Sequence, residues 1–324
     1  MRPPEPFSRT RHNDAPSSKH LDVENSLATY LDAYPRRITI QHWQLRDLIH
    51  CPNRAGEIYA VNRRRILRHD LDSGRSEVAC ELPFEPTSMT VRHGYLAAGG
   101  QSSQLEIRRS PPSPFAPHTL SLPPPPSGPS DSIFKGHCGG SVNNALRVAQ
   151  DASHQQRLFV CNNDDTVKIF SLSTGTLIST VHCPVAINHC ALSPDGKNMV
   201  CVGDNRHTYV YVATPTGYRI NTVYTENNDC GDVLLACRNV RFSPAPLDVL
   251  AFSEHRGRVH VADGRMWPRQ QILHVSTVPE LEPDISGLAF SPCGKRLYVG
   301  LEEAIVAYHV DSGARRSFPH VVVC

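Results

Sequence analysis

Apolar and polar residues alternate along this chain in short runs, and no long stretch keeps the 3.6-residue period of an amphipathic helix. Strand-like segments are Arg157–Cys161, Thr166–Leu172, Met199–Val202, Thr208–Val212, Val249–Phe252, Arg258–Val261, Arg296–Val299 and Ile305–Val310. Turn residues separate such runs roughly every eight to twelve positions, as in sandwiches, barrels and propellers. The pattern predicts an all-β protein.

An internal repeat selects among those architectures. Ala191-Leu192-Ser193-Pro194-Asp195-Gly196-Lys197 matches Ala289-Phe290-Ser291-Pro292-Cys293-Gly294-Lys295, and Arg241-Phe242-Ser243-Pro244 is a third copy. In each, Pro ends an apolar strand because it has no N–H to give to a ladder. In the two fuller copies Gly then allows the chain to fold back. The copies recur about every 50 residues, the period of a propeller blade of four strands.

This frame divides the chain into six units, at about Gln44–Leu82, Pro86–Lys135, 137–182, 186–226, 237–275 and 284–310. Residues 1–35, rich in Pro, Ser, Asn and charge, read as a flexible, disordered arm with one helical turn near Leu27–Leu31. The propeller is expected over 36–318. Residues 110–130, with Pro123–Pro126, read as a proline-rich loop inserted between strands. Arg37–His42 alternates and is expected to supply the outer strand of the last blade, closing the ring.

Charge adds little. The 33 Lys and Arg nearly balance 31 Asp and Glu, so bulk charge gives no reason to expect a nucleic-acid partner. Arg63-Arg64-Arg65 reads as a solvated hairpin tip. No apolar run approaches the roughly 20 residues of a membrane helix, and the N-terminus has no apolar signal core. The expectation is a cytosolic or nuclear protein with no membrane partner. The 11 cysteines are scattered without a Cys-x-x-Cys, and in a reducing compartment they read as small apolar residues. His182-Cys183 and His189-Cys190 lack the spacing of a zinc site, and Asn162–Asp165 reads as a hairpin tip rather than a calcium loop.

No phosphate loop, dinucleotide fingerprint or nucleophile elbow occurs. Glu254-His255 and Glu302-Glu303 fall at turns. The inner-strand stretches Ser141–Leu146, Ala186–Ala191 and Ile285–Ala289 offer Asn143, Asn144, Asn188 and His189 but no carboxylate cluster. The expectation is no enzyme, catalytic residue, metal, cofactor or small-molecule substrate.

The third unit, with Gly136-His137 and Asp164-Asp165-Thr166-Val167-Lys168-Ile169-Phe170, resembles a WD40 repeat. The resemblance implies a WD40-type β-propeller, with a structural network of His137, Asp164, Thr166 and Phe170 in which His137 and Asp164 bond across the blade. Phe170 stands where the family has Trp. A narrower resemblance rests on Gln41–Ile49, Ser141–Asn144, Val185–His189 and above all Cys237–Pro244 and Leu247–His260. These are similar to a group of little-characterised fungal and plant WD40 proteins carrying a domain of unknown function of the 2415 type, and the family-specific C-terminal blades are expected over 237–310. Members have a further blade between the fourth and fifth units. About forty residues are absent here, so a seventh blade is missing or degenerate, either in a six-bladed ring or through loss of an exon.

The resemblance implies a non-catalytic scaffold or adaptor that binds other proteins. Arg238, His255 and Arg256 are candidate partner contacts. Ala262-Asp263-Gly264-Arg265 resembles the Trp-Asp-x-Arg of substrate receptors for cullin-type ubiquitin ligases, which makes Asp263 and Arg265 candidates for that alternative. A propeller hydrolase is the third reading.

Overall fold

The computed structural model describes residues 26–43, 45–110, 132–193, 195–205, 207–225, 239–244, 247–263, 270–276 and 281–311. They form six four-stranded antiparallel sheets in a β-propeller arrangement. The chain begins with β1 (Ala28–Pro35). Blade 1 holds β2 (Ile49–His50), β3 (Glu57–Asn62), β4 (Arg65–Asp70) and β5 (Ser76–Glu81). Blade 2 holds β6 (Pro86–Arg92), β7 (Tyr95–Gly100), β8 (Gln104–Arg109) and β9 (Ser132–His137). Blade 3 holds β10 (Asn143–Gln150), β11 (Gln156–Asn162), β12 (Thr166–Ser171) and β13 (Leu177–His182). Blade 4 holds β14 (Ile187–Leu192), β15 (Asn198–Gly203), β16 (His207–Thr214) and β17 (Gly217–Thr225). Blade 5 holds β18 (Asn239–Phe242), β19 (Val249–Ser253), β20 (Arg258–Asp263) and β21 (Gln270–His274). Blade 6 holds β22 (Ile285–Phe290), β23 (Arg296–Leu301) and β24 (Ala304–Val310), and takes β1 as its outer strand.

That last pairing corrects two expectations. The strand that clasps the ends of the chain is β1, running from Ala28 opposite Val310 to Pro35 opposite Ala304. The propeller therefore begins before residue 36, and Leu27–Leu31 is no helical turn. A bulge between Tyr30 and Asp32 breaks the alternation, so the period-2 signal is lost in sequence. Gln271 locks the clasp: its Oε1 accepts from the Ala28 amide and its Nε2 donates to the Ala28 carbonyl, each at 2.8 Å. Arg37–His42 forms no strand. Ile38, 1% exposed, donates its amide to Glu302 O, and Thr39 donates to Val61 O, so this stretch seams blade 6 to blade 1.

Apolar residues pack mainly between blades. One cluster joins blades 6, 1 and 2, with Ile49, Tyr59, Met89 and Tyr298. Others join blades 2 and 3, blades 3 and 4, and blades 5 and 6. Cys161, Cys190 and Cys201 are buried in the cluster between blades 3 and 4, as small apolar residues. Among the described residues no such cluster joins blades 4 and 5. Gly99 permits a close approach of blade 2 to blade 3, since a Cβ there would lie 2.7 Å from Asn143 Cβ. Arg63, with a left-handed φ of 53°, and Arg64 form the exposed tip of the β3–β4 hairpin. The proline-rich insertion between β8 and β9 lies outside the described residues, except for Ser110.

Candidate functional site

Each blade presents its first strand to the centre of the ring, and register shifts in β6, β10, β14 and β22 mark where these strands begin to pair. The displaced residues serve as staples between blades. Asn144 Nδ2 donates to Ile187 O of blade 4 at 3.0 Å, and Ser88 Oγ beside the blade 2 shift donates to Asn143 O of blade 3 at 2.9 Å. The lead-in to β2 also spans the centre. Met89 donates its amide to Asp47 O, and Asn239 Nδ2 donates to Arg46 O at 2.5 Å.

Charged side chains converge at this centre from five blades. Asp47 stands before β2 and His50 within it. Arg92 ends β6, Arg147 lies within β10, His189 within β14 and Arg241 within β18. Arg241 Nη2 pairs with Asp47 Oδ1, while its Nη1 donates to His189 Nε2 at 2.8 Å. His50 Nε2 lies 3.4 Å from the same Asp47 oxygen. Asp47, His189 and Arg241 are all buried.

The electrostatics follow from this geometry. Burial opposes ionisation of Asp47, but the Arg241 guanidinium and the His50 hydrogen bond outweigh it and hold the carboxyl far below its ordinary range. Burial and then Arg241 push His189 down to about 3, so its Nε2 is a neutral acceptor. Burial also lowers His50 against the pull of Asp47. Arg147 is brought down to about 10 by burial first and then by Arg241 and Arg92. An ion-paired Asp47 beside a neutral His189 already occupied by Arg241 is ill suited to acid–base work at neutral pH.

The WD40-like residues are arranged differently from the expectation. His137 ends β9 of blade 2, and its Nδ1 donates to Ser102 O at 2.8 Å rather than bonding Asp164. Asp164 instead accepts from Thr166 Oγ1 at 2.5 Å and Lys168 Nζ at 2.6 Å. Burial works against its ionisation, yet these bonds hold its carboxyl below the usual range. A buried Asn162 joins the β11–β12 hairpin to the chain before β10: its Oδ1 accepts from the Ser141 and Asp164 amides, and its Nδ2 donates to Asn143 Oδ1 at 2.9 Å. Gly140 is needed beside this network, because its φ is +78° and a Cβ would lie 2.0 Å from Asp164 Oδ2. Phe170 is buried and packs against Phe134 of blade 2, centroids 5.6 Å apart.

Of the candidate partner contacts, His255 and Arg256 face Asp284 at the entry to β22. Arg256 Nε donates to Asp284 Oδ1 at 2.9 Å, and His255 Nε2 lies 3.5 Å from that oxygen. They hold blade 5 to blade 6, and Arg256 remains exposed. Glu254 pairs with His260 at 2.8 Å rather than with His255. Asp263 is buried at the end of β20, opposite Val249. Arg238 and Arg265 lie outside the described residues. Sequence reasoning missed Asp47, Arg92, Arg147 and Arg241. The available signal was an arginine inside an apolar strand, in Leu146-Arg147-Val148 and Val240-Arg241-Phe242, since Arg is seldom buried without a role.

The closed sheets and their polar staples define a β-propeller of the WD40 type. In a comparison of folds, a chain from the crystal structure of a mitotic checkpoint complex superposes with a TM-score of 0.62 over 94% of this chain and 99% of its own, at 12% identity, which speaks to fold alone. A family model described as an uncharacterised protein domain, DUF2415, matches residues 236–274. That match spans β18 to β21 of blade 5. The chain is similar to an uncharacterised protein of Schizosaccharomyces pombe, 26% identical over 341 residues, covering 88% of this chain and 92% of the relative. That alignment is longer than this 324-residue chain, so the relative carries residues with no counterpart here.

Proposed function

We propose that this protein is a scaffold that binds other proteins through the surface of its propeller. The observation that carries the reading is the apolar surface of its outer strands. Leu177 and Ile178 on β13 are 50% and 52% exposed, and Ile220 and Val223 on the neighbouring β17 are 43% and 44% exposed. Val78 on β5 and Ile272 on β21 are similarly open. Exposed apolar side chains gathered on neighbouring elements mark interaction sites in soluble proteins, and a propeller presents them on a rigid frame. Proline-capped strands and interblade staples supply that rigidity.

The test is affinity purification of the tagged full-length protein from its own cells, with mass spectrometry of the bound proteins. A reproducible partner, lost when Tyr298→Ala disrupts the core between blades 6 and 1, supports the reading. A preparation that repeatedly carries no specific protein contradicts it. The same cells imaged by fluorescence test the accompanying proposal of a cytosolic or nuclear location.

A further inference from the structure

The centre of the ring holds more positive charge than its structural role requires. Arg241 is neutralised by Asp47 and fastened to His189. Among the described residues Arg92 and Arg147 have no such carboxylate. Arg92 Nε donates to the neutral ring of His93 at 3.1 Å, and its side chain is exposed. Arg147 makes no hydrogen bond or ion pair among the described residues and is only half-buried, with blades on either side. Blade 6 contributes Ser286, Gly287, Leu288 and Ala289 to the inner ring and no charge. Among the described residues, three guanidinium groups on inner strands thus face one carboxylate.

Arginines without a carboxylate on neighbouring inner strands repel one another, and such an arrangement is stabilised when an anion binds between them. Arg147 is disfavoured in its charged form by burial and by both other arginines, with Asp47 opposing, and Arg92 by burial and Arg241. The excess beyond Asp47 is two positive charges. A phosphoryl monoester carries about −1.5 to −2 at neutral pH and three acceptor oxygens. Guanidinium forks bond such oxygens in pairs. A monocarboxylate would neutralise half of the excess.

We propose that the centre of the propeller is a binding site for a small phosphate-bearing anion, held by Arg92 and Arg147 over the Asp47–Arg241–His189 base. The site is separate from the apolar rim and does not depend on the scaffold reading. Bound ligand would tie blade 2 to blade 3 across the centre of the ring and shield Arg241.

The experiment is isothermal titration of the intact protein with inorganic phosphate and with pyrophosphate at matched ionic strength, alongside thermal melts with the same probes. Acetate serves as the monocarboxylate control. The expected result is one site per chain, a raised Tm with the phosphate probes, and weaker binding of acetate. Arg147→Gln is expected to weaken binding at least tenfold while keeping or raising the Tm of the free protein, because it removes repulsion. Arg92→Gln, at an exposed strand end, gives a second reading should Arg147→Gln fold poorly. Arg219→Gln on the rim is expected to bind as the parent does. No saturable binding of either phosphate probe, acetate binding more tightly than both, or equal binding by the two central variants and the parent would overturn the proposal.

Discussion

Asp47, from the lead-in to the first blade, and Arg241, from the inner strand of the fifth, form a buried ion pair across the centre of the ring. Arg241 also bonds His189 of blade 4, so one guanidinium joins three blades. This matters because no described apolar cluster joins blades 4 and 5. Removing one member of a buried pair leaves the other charged and unpaired, at a cost of about 3–5 kcal/mol. Arg241→Met is therefore expected to lower stability by about that amount in urea unfolding. The double variant Asp47→Asn with Arg241→Met should recover part of the loss, and a strictly additive result would show that the pair is not coupled.

The clasp makes a second prediction. Gln271 satisfies both backbone groups of Ala28 in a buried setting, and Gln271→Ala leaves them without these partners at about 1–3 kcal/mol. Deleting residues 1–35 removes the outer strand of blade 6 and exposes the edge of β24, so the truncated chain should melt far lower and aggregate. A truncated chain that melts with the parent would remove β1 from the closure.

Stability should fall with acid before any carboxylate titrates. Burial lowers His189 to about 3 and His69 to about 4. A histidine with a depressed folded value binds fewer protons folded than unfolded. Its stabilisation is full above the unfolded value near 6.5 and declines as pH falls toward the folded value. His189 alone corresponds to about 4 kcal/mol between pH 7 and pH 3. Asp47 adds a further loss below its unfolded value near 4, since its folded value is far lower. Urea midpoints from pH 7.5 to 4.5 should decline steadily, and less steeply in His189→Gln.

The Asp164 network predicts an asymmetry. Lys168 is buried, and its ammonium is held by Asp164 and Thr166. Asp164→Ala leaves that charge unpaired and should cost about 1–3 kcal/mol. Adding Lys168→Met should restore most of it. Thermal melts of the two variants decide the point, and no recovery in the double variant would show that Asp164 acts through the hairpin backbone instead.

Blade-level organisation was readable because Ser-Pro ends strands for a chemical reason and recurs at the blade period. Hairpin strands such as Glu57–Asn62 and Thr166–Ser171 were legible as short apolar runs bounded by turns, and both are buried along almost their whole length. The clasp was not readable, since the bulge at Tyr30–Asp32 hides its period, while Arg37–His42 alternates but runs along a seam between blades. His137 and Asp164 matched a motif whose bond they do not make, because Ser102 O holds the His137 ring while Thr166 and Lys168 hold the Asp164 carboxylate. The charged centre was overlooked because its members lie as far apart as Asp47 and Arg241, and only ring closure brings them together.

The most direct test of the scaffold reading is affinity purification of the full-length protein beside the rim variant Ile178→Asp with Ile220→Asp and the central variant Arg147→Gln. The account predicts that the rim variant folds, judged by an unchanged circular dichroism spectrum, and loses the co-purifying proteins, while the central variant retains them. Identical partners on the parent and the rim variant would contradict it.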